Sequence, residues 1–394
     1  MSTPAHPLRV TVVTETYPPE INGVANTMRQ LVARLAQRGH QLQVVRPRQG
    51  SDRGAHAGET LVPGLPIPGY PGLRFGLPVY WRLRRQWRVR RPDVVYIATE
   101  GPLGQAALMA ARASAIPTLT GFHTQFQQYS LHYGLGLLAA PITHALRRFH
   151  NRADATLVPT VELRDRLTAQ GFTKLQVVGR GVDTALFTPE RRRVELRACW
   201  GCGPSDPALL YVGRLAAEKN IALVLETFTR TQAVLPNARC LLVGDGPELA
   251  RLRQRYPQFQ FVGAKVGIEL AEHYASADLF VFPSLTETFG NVVPEAMASA
   301  LTVVAFDDAA AHNIIHSGDN GITVDPRNPG AFISAAVAAA QDLERRHRYG
   351  AKARTTAETL DWDRVIDAVE RCLFDVIHRR ATPHGPGRLA ATPQ

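Results

Sequence analysis

The stretch TETFGNVVPEAMASA (286–300) carries two glutamates, Glu287 and Glu295, with Phe289, Gly290 and Asn291 between them. Paired carboxylates suggest acid–base chemistry, but this pair is separated by a glycine turn and a proline. The strand-like run ADLFVFPS (277–284) precedes it and the helix-forming PEAMASA follows. Pro294 suits a first helical position, where no N–H is required. Gly290, Asn291, Val292 and Val293 then form the turn into a helix. Their backbone N–H groups are expected to be unpaired at the positive end of its dipole, an anion site suited to a diphosphate. Gly290 would let a ligand approach the backbone closely. A glutamate pressed against phosphate is repelled. The carboxylates therefore fit better as acceptors of hydrogen bonds from hydroxyls flanking the diphosphate, a ribose on one side and a sugar on the other. The residues alone leave a plainer reading open, in which Glu295 complements the helix dipole and Glu287 is a solvated loop side chain.

A second group follows another strand. YVGRLAAEKN places Arg214 and Lys219 beyond the carboxyl end of ALLYVGRL (208–215). Two cations reaching one cleft can neutralise a leaving diphosphate, though either alone would pass for a surface residue. His123 follows the strand-like PTLTGF and could hydrogen-bond a sugar hydroxyl. By itself it is one of 13 histidines.

These residues need strands that end just before them, and the chain supplies a regular series. LRVTVVTE, HQLQVVRP, PDVVYIAT, IPTLTGFH, ADATLVPT and LQVVGRGV alternate with helical patterns such as ANTMRQLVARLAQRG, closed by Gly39. The pattern lapses over GVDTALFTPERRR (181–193) and restarts with ALLYVGRL, ARCLLVGDG, FQFVGA, ADLFVFPS, LTVVAFD and NGITVDP. Strand and helix in alternation predict an α/β chain with two doubly wound parallel sheets. The expected division is 1–190 and 191–360, a helix at 361–380 packing back toward the first domain, and a disordered tail at 381–394. Ligands of such sheets bind beyond the carboxyl ends of the strands, so the two domains would face each other across a cleft.

The totals narrow the function. With 394 residues, 45% hydrophobic and 20% charged, the chain is long enough for two cores. A net charge of +11 and a pI near 9.9 favour anionic partners, whether nucleic acid, anionic lipid or phosphorylated substrates, unless they reflect only a generally arginine-rich surface. Cys199 and Cys202 form a lone C-x-x-C without further zinc ligands and are read as incidental thiols. No metal site is expected; Asp307 and Asp308 are the weak candidates. The first loop lacks G-x-G-x-x-G and the second strand ends VVRPR, which disfavours a dehydrogenase. A glycoside hydrolase would flank one bond with its carboxylates and need no anion site between them. The first twenty residues lack the signal-peptide pattern and no apolar run is long enough to span a bilayer. A cytoplasmic place is expected, with possible attachment to the inner face of the cytoplasmic membrane.

VGRLAAEKN, LLVGDGPE, FVGAK and PSLTETFGNVVPEAMASALTVVA stand in the order and rough spacing found in retaining GT-B glycosyltransferases of family 4. The chain resembles that family over nearly its whole length. Its opening is similar to the branch of bacterial α-mannosyltransferases and sulfoquinovosyl- or glucuronosyl-diacylglycerol synthases. The resemblance implies that Arg214 and Lys219 meet the donor diphosphate, Glu295 the ribose and Glu287 the transferred sugar. It gives Phe289 to Val293 the turn whose backbone holds sugar and phosphate, and Gly263, Ala264, Lys265 and Val266 the reading of the nucleobase. Gly23 would lie near the phosphates and His123 near the sugar's reactive end. The implied chemistry is metal-independent: the leaving phosphate takes the acceptor proton on the same face and no side chain acts as nucleophile. The sequence departs from the family at Ala300, where glycine is usual, and at Ala309 to Ala311, where a Gly-Gly loop is common.

One more stretch carries information. LRFGLPVYWRLRRQWRVRRPD (73–93) interleaves Trp81 and Trp87 with Arg84, Arg85 and Arg88, and is expected to be helical from about residue 78. Such a mixture fits an anionic membrane interface, or a helix that packs its aromatics inward and leaves its arginines solvated, better than nucleic acid. HALRRFHNR (144–152) could join the same surface. The combined expectation is a retaining hexosyltransferase that uses GDP-mannose or a UDP-hexose and acts on a lipid or lipid-linked acceptor. The alternatives are a GT-B sugar-nucleotide epimerase and a non-catalytic anion- or nucleic-acid-binding protein.

Overall fold

The computed structural model describes residues 6–20, 22–50, 52, 54–67, 70–123 and 139–381. The tail expected after residue 381 lies outside them. The chain forms two compact units. One holds residues up to His123, Thr143–Val178 and the chain from Ile366; the other is mainly Gly179–Val365.

The first unit is built on β1 (Arg9–Val13), β2 (Gln41–Pro47), β3 (Glu59–Val62), β6 (Val94–Ile97), β7 (Thr118–Gly121), β8 (Ala155–Val158) and β9 (Leu175–Val177). They form one parallel sheet in the order β3-β2-β1-β6-β7-β8-β9. The central strands β6, β7 and β8 are buried at every position, as a sheet covered on both faces requires. A hairpin of β4 (Gly64–Ile67) and β5 (Tyr70–Gly76) precedes helix α2 (Tyr80–Val89). Helix α1 (Gly23–Gln37) begins at Asn22, whose side chain accepts from the Ala25 N–H at 2.8 Å, and is followed by Gly39 at φ +93°.

The second unit repeats the plan with β10 (Ala208–Val212), β11 (Arg239–Val243), β12 (Gln260–Gly263), β13 (Leu279–Phe282), β14 (Thr302–Phe306) and β15 (Ile322–Val324). The order is β12-β11-β10-β13-β14-β15, all parallel. Its core runs from Leu209, Leu210 and Tyr211 through Phe280 to Val303 and Phe332.

The last helix, Trp362–Ala381, contributes its residues from Ile366 onward to the first unit. There Arg38 donates to Asp367 at 2.5 Å and to Glu370 at 2.7 Å, and His40 Nε2 lies 2.8 Å from Glu370. Ile366, Val369, Leu373 and Val376 on that helix are buried. Among the described residues no helix is long and apolar enough to cross a membrane.

Candidate active site

In the second unit, β10 and β13 are neighbours in the sheet, so the loops that follow them lie side by side. Bonds between these loops include Asn220 Nδ2 donating to the Pro283 carbonyl at 3.2 Å and Thr286 Oγ1 to the Glu218 carbonyl at 3.1 Å. This brings together residues 68 apart. Lys219 Nζ donates to Glu287 Oε1 at 2.5 Å, and Ser284 Oγ donates to the same oxygen at 2.8 Å. Arg214 lies 3.9 Å from the buried carboxylate of Glu218. Its carbonyl accepts from the Tyr211 hydroxyl at 3.1 Å. Glu287 is therefore a half-buried member of a charge cluster, and the solvated-loop reading is set aside.

The turn after Glu287 differs in detail from the expectation. The helix runs Val292–Ala298 with Asn291 as its N-cap, so Pro294 is its third residue and not its first. Proline fits there too, because the first three N–H groups of a helix have no partner within it. Val293 is not the unpaired donor expected, since its N–H donates to the Gly290 carbonyl at 3.0 Å. Gly290 adopts φ +90°, a conformation only glycine takes without strain. Phe289 is buried, and its carbonyl accepts from the Ala310 N–H at 2.7 Å.

Glu295 lies in the first turn of that helix and accepts from the Tyr274 hydroxyl at 3.1 Å. Burial pushes its carboxyl up to about 8, against the smaller lowering effect of the tyrosine bond. By surface area the residue as a whole is half-buried. The proposed base-reading segment follows β12. Gly263 turns at φ +81°, Ala264 and Val266 are exposed, and Lys265 pairs with Glu269 at 3.4 Å. Ala300 and Ala309 adopt φ +59° and +49°. Alanine thus takes the left-handed conformation at both places where the sequence departs from glycine, at a steric cost.

The first unit holds the other two candidates. Gly23 is the exposed first residue of α1. His123 lies just beyond β7, is buried, and has Nε2 2.9 Å from the Tyr96 hydroxyl. A Cβ at Gly121 would sit 2.3 Å from both of those atoms, so that glycine makes room for the pair. The same edge carries two carboxyls the sequence did not single out. Glu15 and Glu20 are both raised to about 7, mainly by burial. Glu15 accepts from the Leu103 N–H at 2.9 Å, at the start of helix α3 (Pro102–Ala113).

Sequence reasoning also missed Ser284, Tyr274 and Tyr211. Ser284 could have been found from its place three residues before Glu287. Tyr274 is 21 residues from its partner on another helix, and no local spacing marks it. The expected surface role of Trp87 is overturned: it is 2% exposed and belongs to the core between α2 and α3. Trp81, in contrast, is 76% exposed and shares a face with Arg85, Arg88 and the exposed Val89. Arg84 turns inward, with its guanidinium 5.9 Å from the Tyr80 ring centre. Cys199, Cys202, Cys240 and Cys372 are all free thiols. Asp307 pairs with His312 at 3.0 Å, and among the described residues no group of three or more His, Cys, Asp or Glu is arranged for a metal ion.

Many known proteins are similar to this chain. Residues 21–186 match the family model described as Glycosyltransferase Family 4, and residues 206–342 match Glycosyl transferases group 1. A GDP-mannose-dependent alpha-mannosyltransferase of Mycobacterium tuberculosis is 34% identical over 95% of this chain and 98% of its own. A sulfoquinovosyl transferase of Arabidopsis thaliana is 30% identical over 90% of this chain and 71% of its own. An alpha-monoglucosyldiacylglycerol synthase of Streptococcus pneumoniae is 27% identical over 78% and 73%. Among solved structures, sucrose-phosphate synthase from Thermosynechococcus elongatus superposes with a TM-score of 0.77 at 18% identity, covering 94% of this chain and 100% of that one. The charge cluster, the paired parallel sheets and these matches agree: the chain belongs to glycosyltransferase family 4 and is a hexosyltransferase of the GT-B fold.

Proposed function

We propose that this enzyme transfers a hexose, with retention, from a nucleoside-diphosphate sugar to a hydroxyl of a lipid-borne acceptor. GDP-mannose is the favoured donor, because the most similar relatives reported above include a GDP-mannose-dependent enzyme. The observation that carries the reading is the meeting of Lys219, Glu287 and Ser284 beside Arg214 at the carboxyl ends of β10 and β13. Arg214 and Lys219 neutralise the diphosphate as it departs, which is electrostatic stabilisation by charges already in position. Glu287 accepts from a hydroxyl of the transferred sugar and Glu295 from the ribose. Two cations supply the charge that a metal ion supplies elsewhere, so transfer is expected to be metal-independent. His123, Gly23, Gly263 to Val266 and Phe289 to Val292 keep the roles the family resemblance gives them, whereas the Val293 N–H is taken by the Gly290 carbonyl.

The test is a thermal-shift screen against GDP-mannose, UDP-glucose, UDP-glucuronate and UDP-galactose, followed by assays of transfer to diacylglycerol and glycosylated diacylglycerol. Lys219→Ala and Glu287→Ala should lose transfer while remaining folded. Full turnover in both variants would remove the site assignment.

The lipid part of the reading has its own support. The α2 face bearing Trp81, Arg85 and Arg88 combines an exposed indole with cations, a pattern suited to an anionic bilayer surface. Beside it lies a groove of about 420 Å³, lined by Tyr80, Leu108, Met109, Arg112 and Arg152 among others. The two basic segments, 73–93 and 144–152, meet there. We assign the enzyme a peripheral place on the cytoplasmic membrane face with no role in nucleic-acid binding. Failure to co-sediment with vesicles containing anionic lipid at low salt would refute that placement.

A further inference from the structure

We propose that Ser284 is a positioning residue for the donor sugar: it keeps Glu287 in place when Lys219 turns from that carboxylate to the donor diphosphate. The inference rests on the reading that Glu287 faces the transferred sugar and Lys219 the phosphates.

Two donors meet on one oxygen, Glu287 Oε1: the Lys219 ammonium at 2.5 Å and the Ser284 hydroxyl at 2.8 Å. They differ in anchorage. Ser284 is buried, two residues beyond the end of β13, and the carbonyl of its neighbour Pro283 is held by Asn220. Lys219 closes a single 3-10 turn and carries its charge on a flexible four-carbon stem. A diphosphate brings more negative charge than one carboxylate and competes for that ammonium. The half-buried Glu287 then loses a counter-charge at the moment it must hold a defined orientation toward a sugar hydroxyl. The serine hydroxyl is a neutral donor with no reason to follow the phosphate.

The role predicts a loss that depends on the sugar. Ser284→Ala should lower kcat/KM for GDP-mannose, or for UDP-glucose if that is the sugar nucleotide turned over, by roughly ten- to a hundredfold, the range for losing a hydrogen bond to a charged group. The inhibition constant of the corresponding free nucleoside diphosphate, which has no sugar for Glu287 to meet, should not change. Ser284→Thr, which retains the hydroxyl, should recover most of the activity. An unchanged kcat/KM in Ser284→Ala would overturn the proposal. So would an equal loss of affinity for the sugar nucleotide and the free diphosphate, because that is what a merely structural serine would produce. Glu287→Ala, measured alongside, separates this failure from a wider one. If Glu287→Ala is inactive while Ser284→Ala is normal, only the positioning role fails. If both turn over normally, the reading of the site fails with it.

Discussion

Replacing Glu295 by glutamine tests the burial of the ribose-side carboxylate through stability as well as activity. The carboxyl is held at about 8 in the fold against an ordinary value of 4.5. Its protonated form is thus favoured by folding. That contribution is fully present below pH 4.5 and is lost as the pH rises from 4.5 through about 8. A displacement of about 3.5 pH units at about 1.4 kcal/mol each amounts to about 5 kcal/mol at high pH. Glu295 retains solvent contact by surface area, so screening and hydration reduce the realised cost to about 2 kcal/mol. Glutamine keeps an oxygen for the Tyr274 hydroxyl and carries no charge to desolvate. Glu295→Gln should therefore be more stable than the parent by about 2 kcal/mol at pH 9, or roughly 4–8 °C in Tm, and nearly equal to it at pH 4. It should also bind the sugar nucleotide less tightly, because the amide is a weaker acceptor for ribose hydroxyls. Thermal unfolding at the two pH values decides the matter. A variant less stable at pH 9, or a difference of the same size at both values, would refute the reasoning.

Four further outcomes follow from the same geometry. Lys219→Ala should lower kcat/KM by about 10²–10³ with little change in Tm, measured by sugar transfer and thermal unfolding together. Ala300→Gly should stabilise the protein by about 1 kcal/mol in urea unfolding, because it relieves a left-handed alanine at the end of the helix Val292–Ala298. Trp87→Ala should cost about 3–5 kcal/mol through the cavity it leaves. Trp81→Ala should stay within about 0.5 kcal/mol of the parent and instead weaken co-sedimentation with anionic vesicles.

The parallel sheets were legible because each strand is a short apolar run and each helix has its own period, signals local to a few residues. Glu287, Lys219 and Arg214 were legible because residues that follow strands in such a sheet gather at one edge. Resemblance then supplied the roles that spacing left open. What escaped was set by tertiary contact. Trp81 and Trp87 look alike in the sequence, and only the packing of α2 on α3 decides that one is buried and the other exposed. The hairpin β4–β5 was hidden in a proline- and glycine-rich stretch that reads as loop. Tyr274 and Glu295 sit on different helices. The Val293 N–H was expected to face a ligand, but the helix begins earlier than Pro294 suggested and the Gly290 carbonyl takes that donor.

The last helix carries a consequence for how the protein is made. Arg38 and His40, near the start of the chain, find Asp367 and Glu370 near its end, and the buried Ile366, Val369, Leu373 and Val376 belong to the same unit. A fragment ending at residue 190 would carry the whole first sheet and still lack one of its covering surfaces. Synthesis runs from the N-terminus, so the second unit is fully translated before the first has all of its own parts. The half of the enzyme that begins the chain is the last to be completed.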